Sequence, residues 1–272
     1  MILIFDCFET IVHSKYMDFN RGLAVMWEKY YRDKCSFQEI SAYGEELFQY
    51  LEELHRQGKE YAFVKEELPM YAKKYGGAIV SMSSEEEADF LMRCNGMENM
   101  EHMPETLHEF DRLGIPMYVL SNSGFSAGAL SVALERLGIR KYFKKIWSSA
   151  DYGQIKPCRD FFEMAIKDVL LESSDEKREN IIYIGDTYDT DVVGAKAVGP
   201  NVDMVARYRF ISKGDNVDGF YSGSSFANQI GISTQVPRVV EIVGNNTNSS
   251  GTAGCQYFRR RRVDNIKVYV YT

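Results

Sequence analysis

Asp6 directly follows the apolar run Ile2-Leu3-Ile4-Phe5, Ser121 and Asn122 follow Tyr118-Val119-Leu120, and Asp186 follows Ile181-Ile182-Tyr183-Ile184-Gly185, with Asp191 a turn later. Lys156 stands immediately before Pro157. A carboxylate held at the end of an apolar run can attack phosphorus, splitting one difficult hydrolysis into two easier steps. Asp6, Asp186 and Asp191 together offer an all-oxygen donor set. Such a set suits Mg²⁺, a hard ion that keeps water and substrate phosphate in its shell. The ion would neutralise a phosphate and orient it for in-line attack. The proline restricts Lys156 to extended backbone, and its ammonium would offset charge on Asp6 and on a phosphoryl group. Ser121, Asn122 and Thr10 add hydroxyl and amide donors for the transferring oxygens. Singly these features are ordinary, since Ser-Asn is a common turn and Lys-Pro is often solvated surface. Their order along the chain gives them weight.

That order requires strands. Residues 2–5 are continuously apolar, as expected of a parallel strand covered on both faces. From residue 101 onward, helices and strands are predicted to alternate. The helices run Pro104 to Leu113, Ala127 to Leu137, Arg159 to Leu171 and Asp191 to Val198; the strands lie at Met117 to Leu120, Lys145 to Ser148, Ile181 to Ile184 and Val202 to Val205. Regular succession of this kind indicates an α/β fold, a doubly wound parallel sheet with a Rossmann-like core. Ligands of such sheets bind beyond the carboxyl ends of the strands, where Asp6, Ser121 and Asp186 all fall. Between the first strand and this alternation, residues 17–95 carry only helical patterns, with Ser83 or Ser84 as an N-cap before Glu85 and Glu86. The expected domains are a core of residues 1–13 and 101–243, an inserted helical domain of 14–100, and a flexible tail of 244–272 that is rich in Gly, Asn and Ser at its start.

Composition narrows the class. A chain of 272 residues with 45% hydrophobic and 26% charged residues matches an ordinary globular protein with a substantial core. The net charge of −7 argues against broad nucleic-acid binding, and the basic run Arg259 to Arg262 is too short to reverse that expectation. No apolar stretch is long enough to span a membrane, and the start lacks the character of a signal peptide. Five cysteines without paired spacing suit a reducing cytoplasm, the expected location. Cys7 has no sequence neighbour that would activate its thiol and is expected to serve packing. Oligomeric state is not legible.

In this order and on these strands, the motifs Asp6-Cys7-Phe8-Glu9-Thr10, Ser121-Asn122, Lys156-Pro157 and Gly185-Asp186 with Asp191 resemble those of the haloacid dehalogenase-like hydrolases. The resemblance covers roughly residues 1–243. It implies that Asp6 is the nucleophile, that Ser121 and Lys156 bind the phosphoryl group, and that Asp6, Asp186, Asp191 and the Phe8 backbone carbonyl serve Mg²⁺. The helical insertion looks like the C1-type cap of that superfamily. The chain departs from the phosphatase pattern at Phe8, where most members carry a second aspartate as general acid. Glu9 points to the other face if strand geometry continues. An aromatic residue here is similar to the metal-independent 2-haloacid dehalogenases, which usually lack the Gly-Asp pair. The resemblance therefore implies a Mg²⁺-dependent phosphatase of a small phosphorylated metabolite working through an aspartyl-phosphate. The alternatives are a dehalogenase, or a weakly active binding or regulatory protein on the same fold.

Overall fold

The computed structural model describes residues 1–77, 81–172 and 176–198, and beyond these the backbone of the strands at 212–213, 216–217, 219–221, 239–244, 251–253 and 256–261. Among the described residues its central sheet has four strands: β1 (Ile2–Phe5), β4 (Met117–Ser121), β5 (Phe143–Ser148) and β6 (Ile181–Ile184). Their order is β5-β4-β1-β6, and every neighbouring pair is parallel. β1 is therefore central, which explains why its four residues are buried without alternation. The register aligns Phe5 with Val119 on one side and with Ile184 on the other. Asp6 and Gly185 then leave the sheet at one level, while β4 continues to Ser121.

Side chains of β1 alternate between two apolar cores, one on each face of the sheet. Leu3 and Phe5 join Met117 and Val119 beneath α5 (Met103–Arg112) and α6 (Ala127–Arg136), through Leu107, Leu130 and Leu134. Ile2 and Ile4 join Tyr118 and Leu120 beneath α8 (Arg159–Glu172), which follows the short α7 (Ser149–Tyr152), and α9 (Val193–Val198), through Phe161, Phe162, Ala165 and Ala195. At Gly194 an added Cβ would stand 2.1 Å from the Phe162 ring, so α9 lies close to α8 only because that position is glycine.

Between β1 and β4 the chain makes α1 (Phe19–Met26), α2 (Phe37–Arg56), α3 (Leu68–Tyr75) and α4 (Ser84–Asn95). They enclose a third core around Leu23, Tyr31, Leu47, Phe63, Tyr71 and Phe90. Reciprocal hydrogen bonds between Ser36 and Glu39, and between Ser83 and Glu86, start α2 and α4. A short antiparallel pair, β2 (Val12–Ser14) with β3 (Met97–Asn99), sets the entrance and exit of this segment side by side. α4 is tied to the sheet domain: buried Glu87 accepts from the Ser126 N–H at 2.8 Å and the Ser126 hydroxyl at 2.6 Å, at the start of α6. Arg136 of α6 pairs with Asp89 and Glu85 of α4.

Two expectations change. The last site helix begins at Val193, preceded by a wider π-type turn, Tyr188–Val192, that carries Asp191. Within 244–272, expected to be flexible, Gly251–Ala253 and Gln256–Arg261 are strands; the latter pairs in parallel with Val239–Gly244. The physical reason is that Tyr257 and Phe258 have high strand propensity, and pairing overrides the linker-like composition before them. The expected strand at Val202 to Val205 lies outside the described residues. Among those residues no helix is long and apolar enough to cross a membrane.

Within the helical core Glu67 is 1% exposed. Burial pushes its carboxyl up to about 8, with the adjacent Tyr71 hydroxyl working against the shift. In the unfolded chain the group ionises near its ordinary value, so folding retains a proton that the unfolded state has lost. Its contribution to stability therefore declines as pH rises from about 4.5 to about 8 and levels off beyond. Glu67→Gln is expected to match the parent at low pH and to exceed it by a few kcal/mol at the alkaline end, as read by urea denaturation across that range. A pH-independent difference would contradict this.

Candidate active site

Because β1 and β6 end together, Asp6 and Asp186 emerge side by side, and the turn Tyr188–Val192 returns Asp191 beneath them. One carboxylate oxygen from each lies within 4.8 Å of the others. Gly185 makes this approach possible, since an added Cβ there would stand 2.5 Å from the Asp191 carboxylate. The second Asp191 oxygen accepts the Thr187 N–H at 3.0 Å, which fixes the carboxylate within its own turn.

Lys156 reaches this group from the loop before α8, across a cis bond to Pro157. Lys156 is 2% exposed, and its ammonium donates to Asp6 Oδ1 at 2.7 Å, Asp191 Oδ1 at 2.6 Å and the Tyr183 hydroxyl at 3.0 Å. All three ammonium donors are thus used. Tyr183 donates in turn to Asp191 Oδ1 at 3.1 Å. Sequence reasoning missed Tyr183 as a polar group, because within an apolar strand it reads as packing; its signal is the hydroxyl it brings two residues before Gly185. Burial, then the charges of Asp191 and Asp6, hold its pKa well above the ordinary value, so it stays a neutral donor.

Electrostatics follow from this enclosure. Burial pushes Asp6 up to about 6, opposed by the Lys156 charge and assisted by Asp191. Burial also raises Asp186, with the Asp191 charge acting in the same direction. Burial disfavours the ammonium of Lys156, but Asp6 and Asp191 outweigh that cost and raise its pKa. Three acidic oxygens around one cation leave an excess of negative charge, an environment suited to a hard divalent ion.

Of the remaining expected residues, Asn122 is joined to this centre through Lys156. Asn122 is engaged on the main chain of Lys156: its Oδ1 accepts the Lys156 N–H at 2.7 Å and its Nδ2 donates to the Lys156 carbonyl at 3.2 Å. Ser121 is fully buried, with its hydroxyl 3.4 Å from the Asn122 carbonyl. Thr10 has a hydroxyl shielded from solvent and without a partner among the described residues. Phe8 is partly buried against the sheet core. Glu9 adopts φ 54°, a left-handed conformation uncommon outside glycine. Its carboxylate takes the Ser14 N–H at 3.0 Å and His13 Nδ1 at 2.8 Å. Burial pushes that carboxyl up, but the Ser14 N–H and His13 outweigh it and leave the pKa below ordinary. Cys7 is fully buried, and burial, then the Asp6 charge, pushes its thiol pKa up despite nearby Lys156.

Removing the ammonium would strand two carboxylates in a buried site. Lys156→Met is expected to destabilise the fold by about 3–5 kcal/mol in metal-free urea denaturation at neutral pH. A loss below about 1 kcal/mol would show that the cation does not hold this site together.

Over 106 residues the chain is 29% identical to ribulose-1,5-bisphosphate 5-phosphatase of Halopiger xanaduensis, covering 38% of this chain and 41% of that one. Over 98 residues it is 32% identical to glyceraldehyde 3-phosphate phosphatase of Methanocaldococcus jannaschii, covering 36% of this chain and 40% of that one. The chain thus spans about two fifths of the length of these curated relatives. The magnesium-bound HAD-hydrolase YfnB of Bacillus subtilis superposes with a TM-score of 0.47 at 20% identity, covering 74% of this chain and 84% of that one. The sequence model of the haloacid dehalogenase-like hydrolases matches residues 1–199, and the chain belongs to that family.

Proposed function

We propose that the protein is a Mg²⁺-dependent phosphatase of small phosphorylated metabolites, working through a covalent intermediate on Asp6. The observation that carries this reading is the convergence of Asp6, Asp186 and Asp191 within 4.8 Å, the first two at the ends of β1 and β6 and the third from the turn that follows. The names of the phosphatase relatives support the choice of a phosphoryl substrate. Asp6, Asp186 and Asp191, with the Phe8 carbonyl, are the groups that would hold Mg²⁺. When bound, the ion supplies neutralisation of phosphate charge and orientation for in-line attack.

Asp6 Oδ1 is held by Lys156, which leaves Oδ2 as the attacking atom. The oxygen–phosphorus bond forms as the bond to the leaving oxygen breaks, and that oxygen takes a proton from water. Water then attacks phosphorus, releasing phosphate and restoring the Asp6 carboxylate. Lys156 balances charge on Asp6 throughout, and Asn122 holds the lysine backbone in place. Ser121 and the unpartnered Thr10 hydroxyl donate to the transferring oxygens. In the same reading, residues 14–100 form a cap over the site. Its support is the Phe63 N–H donating to the Gly124 carbonyl at 2.8 Å, in the loop that follows Ser121 and Asn122.

Phe8 cannot donate a proton, and Glu9 is bound to Ser14 and His13. Turnover should then depend steeply on the leaving group, with aryl and acyl phosphates about 10²–10⁴-fold faster than alkyl phosphates. The aromatic at position 8 also favours a second reading, attack on carbon as in 2-haloacid dehalogenases. Both are tested together. p-Nitrophenyl phosphate hydrolysis that EDTA abolishes and Mg²⁺ restores, with a loss of at least about 10⁴-fold in Asp6→Asn, is the expected result. Metal-independent halide release from 2-chloropropionate with no phosphate release would replace it.

A further inference from the structure

The helical segment encloses a cavity of about 500 Å³ that the proposed chemistry does not use. Phe19, Phe48, Tyr61 and Phe125 contribute aromatic rings to its walls, and Glu45 and Glu67 contribute carboxyls; among the described residues no Lys, Arg or His lines it. Glu67 is the unusual member. It is 1% exposed, and its Oε2 has no hydrogen-bond partner. Tyr71 lies beside it, near enough for its hydroxyl to hold the Glu67 carboxyl down, but neither Glu67 Oε2 nor the Tyr71 hydroxyl makes a well-aligned hydrogen bond among the described residues. A buried carboxyl oxygen left unpaired costs free energy that folding alone does not recover. Aromatic faces and carboxyls without a competing cation form the recognition chemistry of an organic ammonium. Phe48, at 54% exposed, leaves the site reachable from solvent.

We infer that this cavity binds an organic ammonium with an apolar body, the charged nitrogen against Glu67 and the body among the aromatic rings. On binding, any proton held by Glu67 passes to solvent and the ion pair forms in its place. Phe125 connects the cavity to the loop that begins at Asn122. The ammonium can therefore arrive as part of the phosphorylated substrate or as a separate ligand, and only the first source rests on the phosphatase reading.

Calorimetric titration of the intact protein with phenethylammonium and with its neutral analogue 2-phenylethanol tests the inference without requiring turnover. The ammonium is expected to bind at least tenfold more tightly. Glu67→Gln should remove that preference while leaving 2-phenylethanol binding unchanged, with an undiminished melting temperature showing an intact fold. Glu45→Gln, at an exposed position, gives a second variant expected to weaken the ammonium severalfold. Equal binding of both probes, or an unchanged preference in Glu67→Gln, would overturn the inference. Competition between phenethylammonium and p-nitrophenyl phosphate would assign the ammonium to the substrate, and an unchanged KM to a separate ligand; both keep the site. Failure of phosphate turnover with retained ammonium preference would refute the phosphatase reading alone.

Discussion

One buried ammonium holds together groups that would otherwise repel. Asp6, Asp186 and Asp191 come from the ends of β1 and β6 and the turn before α9, with one carboxylate oxygen of each within 4.8 Å of the others. Lys156 spans Asp6 and Asp191 with bonds of 2.7 and 2.6 Å. Burying such a pair costs several kcal/mol per ion before the mutual attraction is counted, so the arrangement survives only with every donor satisfied. Tyr183 takes the third ammonium donor, and the Asn122 amide fixes the backbone that delivers the lysine. The parallel register of β1 and β6 then becomes a chemical constraint: a one-residue slip would turn Asp6 to the other face.

Much of this was legible in the sequence, for identifiable reasons. Strands buried on both faces are continuous apolar runs, so β1 and β6 could be read with their bounds almost to the residue. A polar residue directly after such a run stands at the ligand-binding edge of a parallel sheet, which located Asp6, Ser121 and Asp186. Gly185 marks the close approach of Asp191. Other features left no local trace. Tyr183 resembles its apolar neighbours until the fold places Lys156 and Asp191 around its hydroxyl. The Asn122 clamp links positions distant in sequence. The strands within 251–261 depend on partners, which composition does not reveal.

The helical segment shows a similar balance between fixed and open contacts. Glu87 and Arg136 bind α4 to α6. A second tie passes through buried Glu60, which accepts Ser149 Oγ at 2.7 Å and pairs with His55 at 2.6 Å. Polar bonds of this kind specify one arrangement of the two parts, because any other would strand buried carboxylates. Glu67 stands apart from that rule: its buried Oε2 makes no well-aligned hydrogen bond among the described residues.

The central claim is that Asp6 becomes covalently phosphorylated. Acid-quenching turnover of p-nitrophenyl phosphate within the first cycle, followed by peptide mass spectrometry, tests it most directly. The account predicts the mass increment of one phosphoryl group on the peptide containing Asp6, absent from Asp6→Asn and from EDTA-treated protein. Steady phosphate release with no such increment, or with the increment on another residue, would contradict it.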